Sequence, residues 1–257
     1  MSPLSTHSRP RTRGGRALDA TLLVVAVLTT GAVLGSTDVL GRDPAAATVG
    51  AMAACTWFVA SRPLASALAL IAGGLALTEW PVSTLVLAAS LVAAVVGATV
   101  QPDGVRPAWH RPAARFWLIG LALGALSAGA LVGWFALFAP DYPRIHTPVV
   151  GGVQLPVLMA APLLACGNSL AEELFWRVLV LGVLRHRLGV AQAIAVQATA
   201  FGVMHWRGYP SGAIGVLLTI LFGVLAGLLV ERSKSMWPAV TAHVLADVAV
   251  LLHLLAV

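Results

Sequence analysis

The chain has 257 residues, of which 59% are hydrophobic and only 10% charged, and it carries a net charge of +6 at pH 7. Because soluble domains carry about 25% charged residues, this composition excludes an ordinary soluble protein and indicates one that crosses a lipid bilayer many times. The basic residues lie at the ends of apolar runs and form no folded basic face, so the positive charge does not indicate binding to nucleic acid.

The N-terminal segment 1–16 is predicted to be a disordered, basic cytoplasmic tail. It contains four arginines among Ser, Thr, Pro and Gly residues and has no apolar periodicity. The first apolar run, 17–35, follows it directly. A cleaved signal peptide would also place an apolar run after basic residues, but its apolar region has only about 7 to 15 residues. The length of the run therefore favours an uncleaved membrane anchor.

Eight further apolar runs follow, separated by Pro, Gly and charged residues. Two of them, 45–60 and 64–79, are short for a membrane span. We therefore predict an all-α bundle of about eight or nine transmembrane helices, with residues 17–150 forming its N-terminal helices. The eight runs lie at 45–60, 64–79, 82–100, 116–138, 153–184, 190–206, 212–230 and 237–256.

The distribution of basic residues predicts the orientation of the chain. When the runs are threaded alternately through a bilayer with the N-terminus inside, most of the 16 Lys and Arg residues fall on the cytoplasmic side. Only Arg42, Arg144 and Arg207 fall outside, and Arg177 falls within the membrane. This asymmetry predicts a multi-pass protein of the plasma membrane with a cytoplasmic N-terminus.

The run at 153–184 is too long for one upright helix, because about 20 residues are enough to cross the hydrocarbon core. It must therefore tilt, protrude or break. The dipeptide Gly167-Asn168 is the expected position of a break.

Three ionisable residues, Glu172, Glu173 and Arg177, lie inside that run. Each would cost roughly 2.5 to 3.5 kcal/mol at the centre of a bilayer, so they need partners. On a helix Glu173 and Arg177 share a face, which suits an ion pair. Glu172 points about 100° away from Glu173 and is left free for another task.

Two later runs carry further polar residues at helical spacing. Phe201 precedes His205 by four residues, and His243 precedes Asp247 by four. Because charge that faces lipid is expensive, these faces should turn inward and meet the two glutamates in one polar cavity. Carboxylates and imidazoles in one cavity indicate a hydrolytic site.

These residues fall into three motifs that occur in order within apolar helices. The motifs are Glu172-Glu173-x-x-x-Arg177, Phe201-x-x-x-His205 and His243-x-x-x-Asp247. Together they resemble the motifs of the CAAX protease and bacteriocin-processing family, also called CPBP or Abi-domain intramembrane endopeptidases. The resemblance covers about residues 153–256 and implies that 151–257 form a catalytic transmembrane core.

The resemblance implies an intramembrane endopeptidase that acts on a peptide or a lipidated protein. Prenyl-protein endopeptidases of this family remove the three terminal residues of lipidated CAAX proteins. Bacterial relatives are linked instead to peptide or bacteriocin maturation and to self-immunity. The sequence indicates neither the individual substrate nor an oligomeric state.

The resemblance also implies roles for single residues. Glu172 is expected to be the general base that activates water, assisted by His205. Glu173 and Arg177 are expected to brace the site. The position of Phe201 one helical turn before His205 separately predicts that it holds the imidazole, although plain core packing fits this spacing equally well. The predicted enzyme is therefore a glutamate-type protease without a covalent intermediate.

The same resemblance implies that His243 and Asp247 stabilise the oxyanion. An asparagine at position 247 could donate a hydrogen bond to an oxyanion, whereas an ionised aspartate would repel it. Asp247 is therefore expected either to orient His243 or to remain protonated in a low-dielectric cavity.

Two chemical alternatives remain open. No cofactor is expected, but Glu172, His205 and His243 could supply three ligands to zinc, although the sequence lacks a His-Glu-x-x-His signature. Cys166 and Ser169 lie near the glutamates, but neither has a partner histidine at a spacing diagnostic of covalent catalysis.

Two non-enzymatic alternatives are a proton-coupled transporter and an immunity protein that retains the cavity without catalysis. Intramembrane Glu, His and Asp residues also form proton relays. A transporter would predict repeat symmetry between the halves of the chain, whereas the polar cluster lies only in the C-terminal half.

Overall fold

The structure is a computed structural model that describes residues 13–59, 62–77, 110–138, 149–150 and 153–256. Nearly all of these residues are helical, which confirms the all-α class. The exception is an antiparallel pair of two-residue strands, β1 (Val149–Val150) and β2 (Val153–Gln154). Most of the tail predicted at 1–16, and the whole run predicted at 82–100, lie outside the described residues.

The N-terminal helices coincide within a few residues with the apolar runs that predicted them. Gly41 has a φ of +79°, which lets the chain turn sharply before the second long helix. The helices are α1 (Arg13–Leu34), α2 (Thr37–Leu40), α3 (Arg42–Val59) and α4 (Arg62–Leu77). Helix α3 packs along α4 and against α1.

The C-terminal helices also follow their predicted runs. They are α5 (Ala114–Phe138), α6 (Val157–Glu173), a π-helix (Leu174–Val180), α7 (Leu181–Leu188), α8 (Val190–Met204), a 3₁₀ turn (His205–Arg207), α9 (Gly212–Ser233) and α10 (Trp237–Ala256). Helix α10 packs against α5 and α6, while α9 packs against α8. The ends of α6 and α8 and the middle of α10 are thereby brought close together.

Three of the described helices are long and apolar enough to cross a membrane. They are Ala114–Phe138, Gly212–Ser233 and Trp237–Leu255. The shorter apolar stretches Asp19–Leu34 and Leu64–Leu77 fall below that length. The total of about eight or nine spans therefore stays a prediction.

The break expected at Gly167-Asn168 is wrong. The chain is helical without interruption from residue 157 to 188, and its irregular part is the π-helix that begins directly after Glu173. A glycine inside a helix costs only about 1 kcal/mol, and the side chain of Asn168 makes two hydrogen bonds that hold this turn in place. Single-turn π-segments occur frequently at functional sites.

Every residue from 171 to 180 is buried. The π-helix therefore lies inside the bundle and presents no side to lipid. The main cluster of buried apolar side chains is formed around it by α1, α3, α4, α7 and α8.

Helix α1 approaches α8 through two glycines one turn apart. A Cβ on Gly31 would meet the backbone of Ala200, and one on Gly35 would meet the backbone of Met204. Small residues at this spacing let two helices in a membrane pack backbone to backbone. The first helix therefore supports α8, the helix that directly precedes His205.

Candidate active site

Glu172 and Glu173 are the last two residues of α6, and both are buried. Glu173 Oε1 forms an ion pair with Arg177 Nη1 at 3.0 Å, as the spacing of the two residues predicted. The same oxygen lies 2.8 Å from Nδ1 of His243. Because a carboxylate oxygen can only accept, Nδ1 of His243 donates this hydrogen bond. Glu173 therefore ties the π-helix to α10.

Aromatic rings cover the guanidinium of Arg177. Its Cζ lies 4.2 Å from the ring centroid of Phe201 and 5.6 Å from that of Phe222. A cation–π contact is worth about 2 kcal/mol when the cation is desolvated. The two rings therefore stabilise the charge on the sides that Glu173 leaves open.

The second nitrogen of His243 faces two more carboxylates. Nε2 lies 3.7 Å from Glu172 Oε2 and 3.6 Å from Asp247 Oδ1. Both separations exceed the length of a typical direct hydrogen bond, which is about 2.7 to 3.2 Å. Three carboxylates thus surround one imidazole, and the two nearest Nε2 are held slightly away from it.

Two polar residues of α6 complete this cluster. Nδ2 of Asn168 donates to Glu172 Oε1 at 3.3 Å and to Asp247 Oδ2 at 3.0 Å. The hydroxyl of Ser169, which is fully buried, donates to the same Asp247 oxygen at 2.8 Å. Neither role follows from the three motifs. The available signal was the spacing, since Asn168 precedes Glu172 by one helical turn.

The hydrogen bond from Ser169 to Asp247 also bears on whether Ser169 could act as a nucleophile. The hydroxyl proton of Ser169 is directed at a carboxylate, and within the described part of the chain no histidine forms a hydrogen bond with Ser169 Oγ. A nucleophilic serine needs a base in that position. The geometry therefore favours a structural role for Ser169.

His205 follows α8 and is set back from the carboxylates. Its Nδ1 donates to the backbone carbonyl of Phe201 at 2.9 Å, which leaves Nε2 available. The ring of Phe201 lies 4.7 Å from that of His205 and 5.9 Å from that of His243, centroid to centroid. Among the described side chains, no hydrogen bond or ion pair joins His205 to Glu172.

A cavity of about 300 Å³ lies between α5, α8, α9 and α10. His205, His243 and Asp247 are the ionisable residues of its wall apart from a tyrosine, and apolar side chains form most of the rest. Leu126 on α5 and Leu221 on α9 line the cavity while 73% and 57% of their surfaces are exposed. The cavity therefore has an apolar rim on the outside of the bundle. The rest of its lining comprises Leu123, Ser127, Ala130, Leu131, Phe201, Tyr209, Pro210, Leu218, Thr219, Phe222, Leu225, Ala246 and Val250.

The structure thus divides the predicted site residues into a connected cluster and a residue beside it. Glu172, Glu173, Arg177, His243 and Asp247 lie in one connected cluster. His205 joins this cluster through Phe201 and the shared cavity wall.

The residues proposed as zinc ligands do not converge. In the parts of the chain that the structure covers, no hydrogen bond or ion pair joins His205 to Glu172 or His243, and no three His, Cys, Asp or Glu residues are arranged to hold a metal ion. Glu172, His205 and His243 therefore do not fit a zinc site in this arrangement.

A comparison with protein families identifies the C-terminal region. The model of the family described as type II CAAX prenyl endopeptidase Rce1-like matches residues 154–249, which contain all three motifs. No curated protein and no solved structure matches the chain significantly. This match supports assignment of residues 154–249 to the CAAX protease and bacteriocin-processing family of membrane proteases.

Proposed function

We propose that the protein is an intramembrane endopeptidase that hydrolyses a peptide bond with water activated by Glu172. The observation that carries the proposal is the position of Glu172 Oε2, which is buried, lacks a hydrogen-bond partner among the described atoms, and lies 3.7 Å from His243 Nε2. This distance is too long for a direct hydrogen bond, and one water could bond to both atoms from beside the line that joins them. A water held there would contact a carboxylate able to take its proton.

The reaction then needs two further groups. Glu172 accepts a proton as the water oxygen bonds to the peptide carbonyl carbon, and His243 donates from Nε2 to the developing oxyanion. Collapse of the intermediate breaks the C–N bond, and the leaving amine takes up the proton that Glu172 had accepted. His205 Nε2 lies on the cavity wall as an acceptor, which suits it to position the scissile N–H.

Glu173, Arg177 and Asp247 act on His243 in this scheme. Glu173 fixes the ring through Nδ1, and the ion pair with Arg177 orients Glu173. Asp247 lies beside Nε2, so its charge balances the imidazolium form that donates from both nitrogens. This proposal gives Asp247 an orienting and charge-balancing role.

The cavity supports a substrate with an apolar group beside the scissile bond. Its walls are mainly apolar, and its exposed rim lies on helices apolar enough to cross the membrane. A hydrophobic peptide segment or a lipidated protein matches this chemistry. We further propose that the site lies in the plasma membrane with the N-terminus in the cytoplasm, as the basic residues predict.

The test compares cells that make the wild-type protein with cells that make the Glu172→Ala or the isosteric Glu172→Gln variant. Peptides from isolated membranes are identified by mass spectrometry. New peptide termini should occur only with the wild-type protein, because both variants lack the base. Identical termini in all three samples, with equal amounts of folded protein, would contradict the proposed activity.

A further inference from the structure

The oxyanion needs donors, and the cluster around His243 contains mostly acceptors. Glu172, Glu173 and Asp247 all lie within 4 Å of this imidazole. Negative charge that develops on a peptide oxygen beside these carboxylates would be repelled unless neutral or positive N–H groups point at it. His243 supplies one such group from Nε2.

Two other donors nearby cannot reach substrate in this arrangement. Arg177 is fully buried, paired with Glu173 and covered by aromatic rings, and the hydroxyl of Ser169, also buried, is directed at Asp247. Asn168 differs, because its uncharged amide contacts both Glu172 and Asp247, the two carboxylates nearest to Nε2. Asn168 is also only partly buried, unlike Arg177 and Ser169.

We infer that Asn168 is a catalytic residue that donates a hydrogen bond to the oxyanion. This inference rests on the proposed function of Glu172 as the base. Its basis is the unequal strength of the two hydrogen bonds that Nδ2 makes. The bond to Asp247 is 3.0 Å long, whereas the bond to Glu172 is 3.3 Å long and is the weaker of the two.

Proton transfer weakens that longer bond further. When Glu172 takes a proton from water, its carboxylate becomes a neutral acid, and a hydrogen bond to a neutral acceptor is about half as strong as one to a charged acceptor. In the same step the water oxygen bonds to the carbonyl carbon, and the C=O π electrons move to the carbonyl oxygen. The Asn168 N–H that Glu172 then binds less strongly becomes available to the negatively charged carbonyl oxygen of the substrate.

The bond from Asn168 to Asp247 persists through this step and holds the amide in position. Asp247 thus contributes to oxyanion stabilisation indirectly, by orienting an amide on the neighbouring helix. On this basis an aspartate at position 247 is compatible with oxyanion chemistry in this chain.

The test uses the purified full-length protein in detergent micelles and a synthetic peptide that spans a site cleaved by the wild-type protein. Asn168→Ala should lower kcat about 100- to 1,000-fold, the usual effect of removing one oxyanion donor, and should leave KM nearly unchanged. The matched control is Ser169→Ala, which removes the other hydrogen bond to Asp247. It should lower kcat less than about 10-fold, because it removes one hydrogen bond that does not reach substrate.

A second variant separates chemistry from folding. Asn168→Asp alone should be nearly inactive, since it adds a carboxylate to the cluster. The exchange variant Asn168→Asp/Asp247→Asn restores one amide and the original charge, and its kcat should exceed that of Asn168→Asp at least about 10-fold, the effect of one good hydrogen bond. The inference is overturned if Asn168→Ala keeps kcat within about 3-fold of wild type, or if the exchange variant is no better than Asn168→Asp.

Glu172→Ala, assayed in parallel, distinguishes failure of the proposed role of Asn168 from failure of the proposed function. If Glu172→Ala is inactive while Asn168→Ala is fully active, only the role of Asn168 fails. If Glu172→Ala keeps wild-type turnover, the proposed function fails and the role of Asn168 fails with it.

Discussion

Replacing Arg177 with methionine tests whether the buried ion pair holds the interior of the bundle together. Both side chains of the pair are fully buried, and their charged atoms are 3.0 Å apart. Methionine is also a long, unbranched side chain, so the main change is the loss of a positive charge. The carboxylate of Glu173 would be left in the interior with His243 as its remaining partner.

The expected loss of unfolding free energy follows from these contacts. Removing one partner of a buried ion pair costs about 3 to 5 kcal/mol, because the other charge is left uncompensated. Loss of the contacts with the Phe201 and Phe222 rings adds about 1 to 2 kcal/mol. The hydrogen bond from His243 to Glu173 offsets part of this, so we expect a net loss of about 3 to 5 kcal/mol.

The assay is a denaturant titration in detergent micelles, followed by tryptophan fluorescence. Arg207→Met is the control, since Arg207 is exposed, and it should change stability by less than about 0.5 kcal/mol. The double variant Arg177→Met/Glu173→Gln removes both charges and should recover at least half of the loss. A loss below about 1 kcal/mol for Arg177→Met, or no recovery in the double variant, would refute the reasoning.

Three further outcomes are expected. Ala130→Trp should fill the cavity and lower kcat/KM about 10-fold or more without unfolding the protein. Leu118→Trp, on the exposed side of the same helix, should leave kcat/KM nearly unchanged, and equal kinetics for the two variants would show that substrate does not enter the cavity. Gly31→Val should lower stability by about 1 to 3 kcal/mol because its side chain would meet the backbone of Ala200, while Gly73→Val, which has open space around it, should have little effect in the same titration. Peptide cleavage should persist after exhaustive dialysis against a chelator, and activity that is lost on dialysis and regained with zinc would contradict a metal-independent mechanism.

The sequence predicts the long helices well because most of them coincide with nearly uninterrupted apolar runs. The boundaries of α9 and α10, for example, lie within a few residues of the runs at 212–230 and 237–256. The pairing of Glu173 with Arg177 is equally predictable, since a spacing of four residues places both side chains on one face whatever the rest of the chain does.

The sequence does not predict features that depend on how one helix is rotated against another. The contacts of Asn168 and Ser169 with Asp247 require α6 and α10 to face each other in one particular register. The π-helix requires carbonyl and amide groups to pair five residues apart, which local propensity does not specify. The set-back position of His205 is likewise invisible in a motif, because a motif records order and spacing along the chain only.

The complete burial of residues 171–180 constrains how the protein is made. This segment carries three ionisable side chains, and its partners Phe201, Phe222 and His243 are all synthesised after it. On its own, each charge would oppose entry into lipid by roughly 2.5 to 3.5 kcal/mol. Stable membrane integration of this segment must therefore wait until the downstream helices have emerged from the ribosome, so biogenesis of the C-terminal half is a concerted event.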